Sequence, residues 1–582
     1  MKIEKTLFSL VFALFVQCIF FTDKCLSQQF PDNLPVISNL TYDNITQTGV
    51  TLFWLTDLAA DSKIKWMVAD SNYQSLSFTD SIYDADIVTN HVISISNLQP
   101  ATIYKYNVIS QNPGGATIDS GYFITQSLST GQVNVYFNHS VDITVSTGEP
   151  ANGNVNFEDL FIKQIDSAKT SIDITLWEFS YYTSISAALI RAKQRGVAIR
   201  FVYNHTENTN VIDSLQKYGI PVLKRKFDTI FSMHNKFLIF DYRYNSNAHT
   251  KYLWTGSANV SHPQFHTDKN NIIIIQDEAI CAIYTREFEE MWGSHTDLPD
   301  SARAKFGTQK ADNVPHILNV AGTRMEVYFS PSDSVSRFLS NLMLTKPTHS
   351  LFFCMLKFEL PAVESALLSI HNSGKQLKGV FDLANSLLPN SAYPRMKGLP
   401  VANTWSPPAD VYTDSLSGLI HHKYFLIDAN TSFGNKIIST GSFNWEVPAD
   451  IGNDENSLTI FNSRVNNLYF QELHHRFLES GGGLIVVNGI NSESPQQFLF
   501  LQNYPNPFCQ TTTISYKLFS PGSVNLSIFD IQGRKIETLL NSWQENGTHY
   551  VEWNASKYSG GVYYYRLTTD GFNMTQKMIL AK

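Results

Sequence analysis

Cysteine is scarce: five in 582 residues, at positions 18, 25, 281, 354 and 509. No pair has a metal-ligand spacing and the set forms no disulfide framework, so neither a zinc-built nor a disulfide-built fold is expected. Basic excess is lacking too. Lys and Arg total 43 against 51 Asp and Glu, a formal charge of -8. That argues against a broad, sequence-blind grip on a polyanion, which depends on neutralising phosphates with Lys and Arg. A local basic cleft stays open. Long apolar runs are absent after Phe21, and no later segment is apolar enough to span a membrane.

The N-terminus has a secretory pattern over 1–27: Lys2 and Lys5, an apolar run from Leu7 to Phe21, then small residues at Cys25 and Ser27. The run falls short of the roughly 20 residues a spanning helix needs, which argues against an anchor. No lipoprotein-type run of small residues precedes Cys18 or Cys25. The mature protein is expected to be exported and soluble.

A chain of 582 residues exceeds one hydrophobic core, and 43% hydrophobic with 13% aromatic residues suffices for several. Over 34–128, short alternating runs such as "TGVTLFWLTD" and "KIKWMVAD" are separated by turn residues, which predicts an antiparallel β-sandwich. Leu98, Pro100, Thr102, Tyr104, Tyr106 and Val108, with Trp54 as a core tryptophan, are similar to the fibronectin type III family. That resemblance implies a spacer or adhesive unit.

From Gln132 to Gly483 strands and helices alternate. The order then repeats: "MEVYFSPS" echoes "VNVYFNHS", "HSLFFCMLKFE" echoes "TSIDITLWEFS", and "SALLSIHNSGKQLKGVFD" echoes "AALIRAKQRGVAIRFVYN". Two similar α/β lobes, 132–300 and 323–483, with a linker at 301–322, are expected to pack about a pseudo-two-fold axis within a monomer. Whatever lies on the axis then draws on both halves. A second linker, 484–498, leads to an all-β tail at 499–582. Its Asn503 to Phe508 ("NYPNPF"), Asp530, Gly533, Gly561, Val562 and Tyr563 resemble the C-terminal sorting domain read by the type IX secretion system. The resemblance implies export through that machinery to the cell surface or medium. The expected architecture is multidomain: a β-sandwich, a duplicated α/β pseudo-dimer, and a C-terminal β-sandwich.

Each lobe carries the same polar signature. "MHNKFLIFD" gives His234, Lys236 and Asp241, followed by Gly256, Ser257 and Asn259. "IHHKYFLID" gives His421, Lys423 and Asp428, followed by Gly441, Ser442 and Asn444. Residues i and i+2 of a strand share a face, so each His points with its Lys. Two lysines and four neutral donors would cradle a phosphate. Two imidazoles would serve as nucleophile and as general acid/base.

Two H-x-K-x4-D motifs on one chain resemble the phospholipase D superfamily in its single-chain form. The resemblance covers 132–483. It implies a phosphohistidine intermediate, one histidine attacking phosphorus while the other protonates the leaving oxygen and then activates water, with no metal or other cofactor. It implies catalytic roles for His234, Lys236, His421, Lys423, Ser257, Asn259, Ser442 and Asn444, while Asp241 and Asp428 read as structural. The family often places a Glu after the motif Asn to orient the catalytic His. Glu455 stands eleven residues after Asn444; the first half has Asn270 there, with Asp268 nearby as a substitute. Glu455 is therefore expected on His421, raising its basicity and making it the acid, with a neutral His234 as nucleophile. Tyr203 and Asn204 read as cleft-lining.

Phospholipid is the leading substrate, because two motifs on one chain suit phospholipases and phosphatidyl transferases. A nuclease is the alternative, resting on Lys224, Arg225 and Lys226 just ahead of the first motif. A catalytically inactive adhesion protein is a third reading, which the intact second motif opposes. His262 and His266 are four apart, but Pro263 argues against a shared helix face and no further ligands group nearby, so no metal site is expected there. In the doublet His421–His422, alignment with "MHNK" puts His421 with Lys423 and His422 in the place of Asn235, facing away from the phosphate.

Overall fold

The computed structural model describes residues 34–69, 77–180, 183–225, 230–245, 247–414, 416–487, 498–518, 521–569 and 572–582. Residues 1–27, expected as a secretory segment, Lys226 and most of the expected second linker lie outside them. The chain divides into two compact units: one runs to Gln126 and includes Asn313–Ile317, the other comprises Ser127–Asp312 and Leu318–Lys582. Among the described residues no helix is long and apolar enough to cross a membrane.

The first unit is all-β. Its five strands are joined into one hydrogen-bonded network. Strand Val50–Val68 links them: it shifts register between Leu55 and Ser62 and pairs with three others along its length. Trp54 is buried, its indole donating to Ser110 Oγ at 2.9 Å. Tyr104 accepts from the Gln99 amide at 2.9 Å, pinning the turn that leads into its strand.

In the second unit the two lobes repeat one topology. The first sheet runs Val133–Phe137, Asn271–Gln276, Tyr252–Gly256, Lys236–Phe240, Ser171–Glu178, Ala198–His205, Val222–Lys224. The second has the same order, with one extra edge strand, Ile317–Val320, beside Thr323–Ser330. The last three strands of each are parallel and the rest antiparallel. The motif strands Lys236–Phe240 and Lys423–Ile427 are buried along their whole length, as continuous apolar runs covered on both faces must be. Segment 301–322, expected as a linker, is built into the fold: the buried Lys310 ammonium donates to Ser330 O at 3.1 Å and pairs with Asp454 at 3.3 Å.

Helices Glu278–Trp292 and Ser463–Glu479 are buried on nearly every side, and they carry the pseudo-symmetry across the lobes. Tyr284 packs edge-on against Phe237 (5.0 Å) and against Phe329 of the other lobe (5.1 Å). Tyr469 packs the same way against Tyr424 (5.1 Å) and Phe137 of the other lobe (5.2 Å). In the tail, a three-stranded and a four-stranded sheet enclose one core around Tyr516, Trp553, Leu526 and Tyr565.

Candidate active site

The regular motif strands begin at the lysines, not the histidines. The residues just before each strand pair across the axis. His234 N–H donates to Asp454 O at 2.8 Å, and His421 N–H donates to Lys269 O at 3.0 Å. These exchanges, with parallel bridges Met233–Asp454 and Lys269–Ile420, bring each histidine against the opposite lobe. His234 keeps 13% of its side chain exposed, and His421 is buried.

The side chains cross in the same sense. His234 Nδ1 is 2.7 Å from Glu455 Oε2. His421 Nδ1 is 3.0 Å from both Ser257 O and Asn270 Oδ1. Glu455 therefore partners His234, not His421, and Asn270 partners His421. This corrects the sequence expectation, and the reason is the strand exchange: the residue after each G-S-x-N turn is delivered to the other lobe's histidine. Asp268 is not a substitute either. Its carboxylate accepts from Gln264 Nε2 (2.6 Å) and Leu419 N (2.9 Å), bracing the segment ahead of His421.

The lysines reach back to their own motif. Lys236 Nζ donates to His234 O at 2.8 Å, and Lys423 Nζ to His421 O at 2.6 Å, lying 3.1 Å from His421 Nδ1. Burial lowers Lys236 to about 7, against the pull of Glu455, Glu178 and Glu446. Burial, with Lys236 beside it, pushes Lys423 well down. Both histidines are pushed well below their usual value, first by burial and then by the two lysines. Burial raises Glu455 to about 8, opposed by Lys236, the Ser442 hydroxyl and Lys423. An anion placed between the lysines would restore charge to all four cationic groups, so the electrostatics suit a phosphodiester.

The serines, expected as phosphate donors, have their hydroxyls bonded to groups beside the histidines. Ser257 Oγ donates to Asn270 Oδ1 at 2.8 Å and accepts from Asn271 N at 3.0 Å. Ser442 accepts from Asn456 N at 3.0 Å, and its hydroxyl stabilises Glu455. Each serine thus holds the group that holds a histidine. Asn444 Nδ2 bonds Glu446 at 3.2 Å, and the Oδ1 atoms of Asn259 and Asn444 are both buried without a hydrogen bond. Gly256 and Gly441 sit at φ 150° and 144°, where a Cβ would fall 2.3 and 2.2 Å from the carbonyls of Asn271 and Asn456; only glycine fits.

Asp241 and Asp428 lie at the far ends of their strands. Asp241 accepts from the amides of Lys169, Thr170 and Ser171, and Asp428 from those of Thr348, His349 and Ser350. Each ties its motif strand to the start of the neighbouring one. His422 turns into the core, its Nε2 at 2.9 Å from Glu472 and Nδ1 at 3.0 Å from Asn271. Its counterpart Asn235 donates to Glu287 at 3.2 Å. Of the other expectations, Tyr203 is a core residue, and Asn204 accepts from Met233 N at 3.0 Å, fastening the segment ahead of His234. Arg225 is buried against Asp454 at 3.1 Å. His262–His266 does form a helical turn, with Pro263 in its first turn where proline is tolerated; the two rings lie 4.6 Å apart on its exposed side.

Sequence reasoning missed several neighbours. Trp177 stands edge-on to His234 at 5.6 Å. Continuing the register Lys236–Leu176 places Glu178 opposite His234, and Lys423–Met355 places Lys357 opposite His421. Lys357 pairs with Glu446 at 3.1 Å. Asn271 and Asn456 also escaped notice, though the repeat carries Asn at both places. Asn271 Oδ1 accepts from Thr440 (3.1 Å) and Tyr469 (3.0 Å), and Asn456 Nδ2 donates to Thr255 (3.0 Å) and Tyr284 (3.2 Å), every bond crossing the axis.

Comparison with known proteins places this site in a family context. Residues 161–292 and 342–477 match the family described as cardiolipin synthase, phospholipase D-like domain. Residues 502–581 match the secretion system C-terminal sorting domain. A mitochondrial cardiolipin hydrolase of Xenopus tropicalis is 28% identical over 138 residues, 24% of this chain and 59% of that protein. A phospholipase D of Rickettsia prowazekii is 27% identical over 184 residues, 30% of this chain and 84% of that protein. The solved phospholipase D family member from Salmonella typhimurium is 22% identical and covers 28% of this chain and 97% of its own, with a TM-score of 0.22. The chain spans 59% and 48% of the length of the first two cardiolipin hydrolases it matches.

Proposed function

The chain carries a phospholipase D-like domain in two segments and a secretion system C-terminal sorting domain, and from these we propose that it is an exported phosphodiesterase that hydrolyses phospholipids. The observation that carries the reading is the pairing of two His–Lys motifs across one axis, each histidine braced by the opposite lobe. One Nε2 lone pair forms an N–P bond as the P–O bond to the leaving group breaks. The other histidine gives its Nε2 proton to that oxygen. It then takes a proton from water, whose oxygen attacks phosphorus and breaks the N–P bond, releasing a phosphomonoester. Lys236 and Lys423 neutralise the phosphoryl oxygens, and the step uses no metal or other cofactor.

Phospholipid is favoured by the relatives named as cardiolipin hydrolase and phospholipase D. The basic run that favoured a nuclease is weakened, because Arg225 is engaged by Asp454. The sorting domain supports export through type IX secretion. The test incubates the mature protein, in chelator, with phosphatidylcholine vesicles and separately with single-stranded DNA, beside His234→Ala and His421→Ala. Lipid hydrolysis lost by a factor of about 10³ or more in both variants is expected. Faster cleavage of DNA would favour the nuclease, and no difference from wild type would favour an inactive adhesion protein.

A further inference from the structure

The short helices after the two G-S-x-N turns, His262–His266 and Val447–Ile451, hold equivalent places in the repeat, each with proline in its first turn. Each buries its middle, through Gln264 and Phe265 in the first and Ala449 in the second. Each turns its first and fifth residues outward, one turn apart on one face. In the first lobe those residues are His262 and His266; in the second they are Val447 and Ile451. The same contrast recurs at the strand ends. His205 ends its strand opposite Glu178, and register places Leu383 at the matching point of the second lobe. Leu383 opens helix Leu383–Ser386, and one turn on stands Leu387, 75% exposed. The first lobe shows that these places accept a polar residue, so packing does not demand the apolar ones of the second.

We propose that this apolar rim of the second lobe docks the protein on a lipid surface, setting the mouth of the cleft against the phospholipid headgroups. The proposal rests on the phospholipid reading of the same site.

Each part of the rim is tied to the cleft. Asp382 caps Leu383–Ser386 by accepting from Asn385 N at 2.9 Å, and it also accepts at 3.2 Å from the amide of Ile420, the residue before His421. Glu446, just ahead of Val447, bonds Asn444 Nδ2 and pairs with Lys357. At Gly452, next to Ile451, a Cβ would fall 2.3 Å from the Phe231 ring. The segment leading to His234 therefore lies directly against this helix, and Ile230 on that segment is exposed.

Single exposed apolar side chains are ordinary on a protein surface. Here they gather at the mouth of one cleft and on one side of it, which marks an interaction site. Leu, Val and Ile gain from burial at the boundary of headgroups and acyl chains without needing a shaped partner. The chain's formal charge of -8 gives it little attraction to an anionic surface, so the grip is apolar. Binding should therefore survive added salt.

The experiment sediments the mature protein with phosphatidylcholine vesicles, with and without about 0.5 M salt. Leu387→Asp/Ile451→Asp and Val447→His/Ile451→His are run beside it. The second variant carries the first lobe's own residues, which the equivalent helix already holds. Wild type should bind in both buffers, and each variant should lose about tenfold or more in partition. His262→Ser/His266→Ser should bind as wild type does. Rates with a soluble diester, bis(p-nitrophenyl) phosphate, should be equal in all four proteins. Wild type that stays off the vesicles or leaves them in salt overturns the proposal, and so do rim variants that bind as wild type does. Rim-dependent binding without phospholipid hydrolysis would support the rim and reject the phospholipid reading. Hydrolysis of dispersed short-chain phosphatidylcholine without vesicle binding would reject the rim alone.

Discussion

His234 and Glu455 stand 221 residues apart in the chain and are joined by a 2.7 Å contact across the pseudo-two-fold axis. The half that supplies His234 therefore does not supply its carboxylate partner. Neither lobe alone holds a complete histidine site, so an isolated lobe should be inactive whatever its own stability.

The axis itself is held by Asn271 and Asn456. Asn456→Ala removes the bonds to Thr255 Oγ1 and Tyr284 OH, both buried, and should cost about 2 kcal/mol. Urea unfolding of the mature protein measures it. Asn456→Ser, which can keep one bond, should cost less.

His422 is a structural residue whose replacement is felt in stability. His422→Asn, the residue of the other repeat, gives up the 2.9 Å bond to Glu472 inside a buried network with Arg476. We expect about 1–3 kcal/mol of destabilisation with kcat of the folded protein unchanged. His421→Ala should show the reverse pattern, with kcat lost and the melting temperature little changed.

Arg225 should matter to folding and not to substrate choice. Its side chain is buried 3.1 Å from Asp454, which also meets Lys310 at 3.3 Å. Arg225→Ala should cost about 3 kcal/mol in a denaturant titration. The ratio of lipid to single-stranded DNA cleavage should stay at the wild-type value.

His139 gives the fold a local acid sensitivity. Burial, then Arg476, Lys269 and His422, lower it to about 4, and its Nε2 is buried without a hydrogen bond. Below about 6.5 the unfolded chain takes up a proton there that the folded protein refuses until about 4. The unfolded state binds more protons across that window, so this contribution to stability falls as pH falls. Thermal unfolding of wild type and His139→Asn between pH 7 and 4 should show wild type losing stability more steeply.

The sequence made the duplication legible, because His, Lys, Asp, Gly, Ser and Asn recur at matched places and each type has a physical reason to be there. Gly256 and Gly441 prove to need a backbone that only glycine adopts. The crossing was not legible. Glu455 follows Asn444 in the chain, and linear spacing assigns it to the nearer motif; only the strand exchange at Asp454 and Lys269 sends it to His234. The serines' bonds to Asn270 and to the amide of Asn456 were not legible either, since a hydroxyl near a phosphate site and a hydroxyl behind a histidine look alike in sequence. In the first unit, the alternation marked the strands but not that one of them, Val50–Val68, runs on through a register shift to pair with three others.

Trapping the covalent intermediate tests the central claim most directly. Mature protein is mixed with a short-chain phosphatidylcholine, quenched in alkali within one turnover, digested, and mapped by mass spectrometry. A phosphoryl adduct is expected on the peptide carrying His234, absent in His234→Ala and formed only slowly in His421→Ala, which lacks the proton donor for the leaving oxygen. An adduct on His421 that survives in His234→Ala would contradict it.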